Sequence, residues 1–133
     1  MSSIFQLVDE CFIIVLKEEV ISDQQWSEWV SAVKVMPAGQ QIRMLVDSDY
    51  GPSAMQRKEM NEALGSRRMR IAVLSDSSVA KGIMFFVNLS KKIDIKGFSP
   101  YELDAALQFL GYEGSSANAI RNGLLALRQK HSG

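Results

Sequence analysis

The chain has 133 residues, 47% of them hydrophobic and 23% charged, and its 15 basic residues balance its 15 acidic ones. That composition excludes a disordered or collagen-like chain, and zero net charge argues against a dedicated nucleic-acid binder. A single cysteine, Cys11, excludes an internal disulfide and a multi-cysteine zinc site, and fits a reducing, cytoplasmic setting.

One domain over residues 1–133 is expected, since a chain of this length buries about two-thirds of its surface on folding. The longest aliphatic runs, Cys11–Leu16 and Ile83–Val87, are too short to span a bilayer, and the start does not read as a signal peptide. Charge is divided unevenly: residues 1–66 hold five Lys/Arg and ten Asp/Glu, and residues 67–133 hold ten and five. No repeat or low-complexity tract interrupts the chain.

In chain order, Ile4–Val8 and Cys11–Leu16 read as a hairpin turning at Asp9-Glu10. Ser22 with Gln25 is a capping box that opens a helix to about Met36, with Trp26, Trp29, Val30 and Val33 on one face. Ile42–Val46 suits a buried strand, followed by the loop Asp47–Pro52. Ser53 with Gln56 opens a second helix to Leu64, stopped by Gly65. Arg70–Leu74 is the next strand, and Asp76-Ser77-Ser78 leads to a helix over 79–89. Ile93–Ile95 follows as a strand. Ser99-Pro-Tyr-Glu102 predicts a helix start with Ser99 as N-cap, running to Leu110 and closed by Gly111. A last helix over 117–130 carries Ile120, Leu124 and Leu127 on one stripe, and His131 falls in a polar tail. The order predicts an α/β fold: an N-terminal β-hairpin leading into a mainly parallel sheet of about five strands, with helices packed on it and an extra C-terminal helix.

The segments Ile42–Asp47, Arg70–Gly82 and Ile93–Gly111 resemble the STAS-like superfamily, typified by bacterial anti-sigma-factor antagonists. The likeness covers about residues 4–111. In regulatory members of that family, a serine in an Asp-Ser-Ser-Gly-like turn before a helix is phosphorylated to break a partner contact. The matching turn here reads Asp47-Ser-Asp-Tyr-Gly-Pro-Ser53, so the resemblance makes Ser53 the first switch residue and Ser48 the second. Asp76-Ser77-Ser78 matches by spelling, one β-α unit later.

Read from the residues alone, Ser53 is an N-cap where a phosphate would meet a favourable helix dipole, opposed by Asp47 and Asp49. Asp47 and Asp49 also resemble the Asp-x-Asp start of Mg²⁺-dependent phosphatases of the haloacid dehalogenase type, although Gly51 stands where that motif has Thr or Val. The 79–89 helix is apolar nearly all round, which makes Met84 and Phe85 candidates for a homodimer or partner interface. Basic residues gather at strand beginnings, namely Arg43, Arg67, Arg68, Arg70, Lys91 and Lys92. They read as a solvated rim or a contact for an acidic partner. No Gly-rich cradle for a phosphate precedes a helix.

The expected function is a non-enzymatic regulatory or protein-interaction module without cofactor or metal. Its partner is a protein or a second copy of the chain, and neither nucleic acid nor an integral membrane segment is involved. The alternatives are a Mg²⁺-dependent phosphoryl hydrolase using Asp47 and Asp49, and a small-ligand or lipid-binding domain.

Overall fold

A computed structural model describes residues 5–16, 21–37, 39–48, 53–76 and 92–132, the side chains of the last two excepted. Its centre is a five-stranded sheet in the order β1 (Phe5–Val8), β2 (Cys11–Val15), β3 (Ile42–Asp47), β4 (Met69–Leu74), β5 (Ile93–Phe98). β1 and β2 are antiparallel and the other three pairings are parallel. The fold is thus the α/β arrangement expected from the strand-helix alternation.

The hairpin turns at Asp9 and Glu10, whose φ angles of 47° and 66° define a turn normally built from Asn and Gly. Two non-glycine residues in this region cost about 1–2 kcal/mol each. Contacts from elsewhere hold them. Gln40 Nε2 donates to Glu10 Oε2 at 2.7 Å, and the Tyr112 hydroxyl donates to the Asp9 carbonyl at 3.2 Å.

Helices α1 (Asp23–Lys34) and α2 (Ala54–Leu64) begin at the two capping boxes, each with both reciprocal bonds formed. Because the strands follow one another in sequence order, successive right-handed crossovers put α1 and α2 on the same face. They pack together over Phe12, Ile14, Met44, Val46, Ile71 and Val73. Trp26 and Trp29 are the largest residues in this layer, stacked edge to face at 4.9 Å and each 1% exposed. Burying one such ring stabilises the fold by about 4–6 kcal/mol before entropy is charged against it.

The opposite face is covered by α3 (Leu103–Leu110) and α4 (Gly114–Ser132). α3 lies on β4, and α4 returns beneath β2 and β1, placing Ile120, Leu124 and Leu127 against Ile13 and Val15. Gly123 makes that approach possible: a Cβ there would stand 2.9 Å from the Ile13 δ-methyl. The C-terminal helix therefore packs on its own chain. It starts three residues earlier than its apolar stripe implies and continues through position 132, so His131 belongs to the helix backbone and not to a tail.

Three other boundaries depart from the sequence reading by two residues or more. β5 extends to Phe98, because an edge strand alternates exposed Asp94 and Lys96 with half-buried Ile93, Ile95 and Gly97. α3 begins at Leu103, because Ser99–Glu102 closes on itself first: Ser99 N–H donates to Glu102 Oε1 at 2.9 Å, and Glu102 N–H to the Ser99 carbonyl at 3.0 Å. Glu102 thus occupies the cap position without a side-chain cap bond. α1 ends at Lys34, with Val35 as its C-cap. The segment expected as the 79–89 helix, with Met84 and Phe85, lies outside the described residues.

Candidate functional site

At the carboxyl ends of the parallel strands, backbone pairing runs one residue beyond the sheet. Leu16 N–H donates to the Asp47 carbonyl at 3.0 Å, Ser48 N–H to Leu74 at 3.2 Å and Ser75 N–H to Phe98 at 3.0 Å. Asp47, Ser48, Ser75 and Asp76 are thereby brought together along one rim, where ligands of open α/β sheets are commonly held. Asp49, Ser77 and Ser78, the other expected rim residues, lie outside the described residues.

The pleat divides this group. Arg43, Leu45 and Asp47 point to the α3/α4 face, whereas Met44, Val46 and then Ser48 alternate to the α1/α2 face. Asp47 is 7% exposed, and its Oδ2 accepts from Arg128 Nε of α4 at 2.8 Å. That ion pair joins the end of β3 to the C-terminal helix across 81 positions of sequence. Ser48 and Ser75 are buried, at 3% and 2% exposure, and Asp76 is exposed.

Ser53 stands exposed at the same rim as the N-cap of α2. Its hydroxyl accepts from Gln56 N–H at 3.1 Å, and Gln56 Oε1 accepts the Ser53 N–H at 3.0 Å. The Gln56 amide then donates to the Ile21 carbonyl at 2.9 Å, just before the Ser22 cap of α1. One capping residue thus ties together the starts of both helices on this face.

Sequence reading missed a further rim feature. The Ser99–Glu102 turn is fixed by Tyr101 N–H donating to Ser99 Oγ at 3.3 Å, in addition to the bonds already given. It presents Tyr101 at 91% exposure. A large aromatic held out on a rigid turn is the kind of side chain that anchors protein interfaces. The only sequence signal was Pro100-Tyr101 between a serine and a glutamate, which reads equally well as a helix start.

The amino rim, at the opposite end of the strands, explains half of the basic clustering. Helices that alternate with parallel strands run back against them, so their carbonyl-rich ends reach this rim and favour cations. Arg67 donates from Nε and Nη2 to the Met36 carbonyl at 3.1 and 3.0 Å, and from Nη2 to Lys34 at 3.3 Å. From Nη1 it reaches the Ala63 and Leu64 carbonyls, both at 3.4 Å. One guanidinium closes the ends of α1 and α2 together. Lys92 donates to the Gly65 carbonyl after α2, and Arg70 Nη1 to Phe109 in α3 at 3.0 Å. These side chains are helix stops instead of the solvated rim that the sequence implied. A shallow cavity of about 180 Å³ lies beside them, between Gly39–Gln41 and Ser66–Arg68. On the other face Cys11 is fully buried, which pushes its thiol up to about 12, against the weaker opposing effects of Tyr112, Arg43 and Leu45.

Among the described residues no three His, Cys, Asp or Glu side chains converge as a metal site, and no helix is long and apolar enough to cross a membrane. No protein-family model matches the chain, and searches among curated proteins and solved structures find no match either.

Proposed function

We propose that the chain is a STAS-like, non-enzymatic regulatory module that acts in the cytoplasm and docks a protein partner, or a second copy of itself, at the carboxyl rim of its sheet. Charge at Ser53 sets the strength of that contact. The observation that carries this reading is the state of Ser53: an exposed hydroxyl that already caps α2. A phosphate at this position is tolerated by the helix dipole, so the rim gains up to two negative charges while α2 stays folded. The partner then meets added desolvation. Tyr101, exposed on the same rim, supplies an aromatic anchor, which suits a partner with an apolar contact surface where an added charge is desolvated without a counter-charge.

The hydrolase alternative requires Asp47 as an accessible nucleophile. Its burial and its bond to Arg128 favour a structural role.

Affinity capture from native lysate with wild type, Ser53→Ala and Ser53→Asp tests the reading. One protein retained by wild type and Ser53→Ala and lost from Ser53→Asp supports it. Identical recovery by all three refutes it. The alanine variant is expected to lose about 1 kcal/mol of stability with its cap and to keep its binding.

A further inference from the structure

Cys11, Arg43, Arg70 and Asp94 stand in register across β2 to β5, on the face that α3 and α4 cover. Like charges side by side on neighbouring strands destabilise a sheet unless something offsets them. Here the offset is one-sided. Asp94 Oδ2 lies 3.3 Å from Arg70 Nη2, and the Arg70 Nε is buried without an acceptor. Arg43, half-buried beside it, has no carboxylate partner among the described residues.

Both guanidiniums are nevertheless held in place. Arg43 Cζ lies 5.0 Å from the centroid of the Tyr112 ring, and Arg70 Cζ 5.1 Å from that of Phe109. Arg70 is also fixed by its bond to the Phe109 carbonyl. Gly111, at φ 88°, adopts a conformation that side chains avoid, and a Cβ there would contact Arg43 Cζ at 3.9 Å. No side chain therefore covers Arg43 from position 111. The end of α3 offsets about half a charge, which leaves the arginine pair in excess.

We propose that Arg43 and Arg70 form a binding site for a small oxyanion of the phosphate class. Two guanidiniums side by side, each steadied by a ring, offer a phosphate the donors not already spent on Phe109 and Asp94, and little side-chain freedom remains to be lost on binding. The neighbouring thiol and phenol do not compete. Burial holds the Cys11 thiol and the Tyr112 hydroxyl protonated, each raised to about 12. The site is at the opposite rim from the docking surface and does not depend on it.

The test is calorimetric titration and thermal melting with inorganic phosphate, at ionic strength fixed with chloride. A saturable, one-to-one response is expected in wild type. Arg43→Gln should abolish it with only a small change of melting in chloride, since the Arg43 side chain leans on Tyr112 and reaches no backbone carbonyl among the described residues. Asp94→Asn removes the competing carboxylate from an exposed position and should tighten phosphate binding several-fold. Phosphoserine and acetate form the comparison arms: a response to phosphoserine identifies a phosphomonoester ligand, while acetate binding as tightly as phosphate overturns the assignment. So does an absent response, an undiminished response in Arg43→Gln, or an Asp94→Asn affinity no tighter than wild type.

Discussion

Removing the Arg128 guanidinium is the sharpest test of how α4 is held beneath the sheet. Arg128→Met keeps most of the side chain's apolar stem and deletes the charge that meets Asp47 at 2.8 Å. At this separation a unit pair is worth about 6 kcal/mol at an effective dielectric of about 20. The Asp47 side chain is 10% exposed and that of Arg128 31%, so water screens the pair from one side and the full loss for a buried pair does not apply. The expected destabilisation is about 2 kcal/mol, between the surface and buried limits. For a chain of this length that lowers Tm by about 7 °C. Asp47→Asn should cost a similar amount, and the double variant clearly less than the two together, because no charge is then left without its partner. Urea unfolding followed by tryptophan fluorescence reads all four proteins, since Trp26 and Trp29 are buried in the native state. A coupling energy near zero would refute the argument and make the pair a surface contact of no consequence.

Three further expectations follow from the packing. Gly123→Leu drives a side chain into Ile13 and Val8 and should destabilise the fold by about 1–3 kcal/mol, while an unchanged Tm would mean that α4 does not seat on the hairpin. Asp9→Asn with Glu10→Gly supplies the turn that the backbone already adopts, and a gain of about 1 kcal/mol should appear in thermal melts despite the lost Gln40 bond. Cys11 should resist a thiol reagent at neutral pH until urea unfolds the chain. Its raised pKa stabilises the fold below pH 9, and that contribution is lost as pH rises from 9.0 towards about 12. Cys11→Ala should therefore show a shallower alkaline fall in Tm than wild type, and equal falls would refute the assignment.

Much of the architecture was legible because local and tertiary signals agree. The central strands are apolar on both faces, as buried parallel strands must be, and so stand out as continuous runs. Both capping boxes and the left-handed Gly111 are local chemistry that the fold retains. The errors arose where a local signal had a competing use. Ser99–Glu102 satisfied its hydrogen bonds as a separate turn, and β5 disguised its second half by exposing Lys96. The candidate site was less legible. Strand alternation alone would have separated Asp47 from Ser48, but its partner Arg128 is 81 residues away and lies in a helix whose register is not visible from the strand. Arg67 reads as one more surface cation until the ends of two helices are seen to converge on it.

The central claim is that binding occurs at the carboxyl rim. Affinity capture with Ser53→Asp and Tyr101→Ala on that rim, and Arg68→Glu on the opposite one, tests it most directly, provided that all three melt like wild type. The same captured protein should be lost from both carboxyl-rim variants and retained by Arg68→Glu. Loss with Arg68→Glu, or retention by both rim variants, would contradict the account.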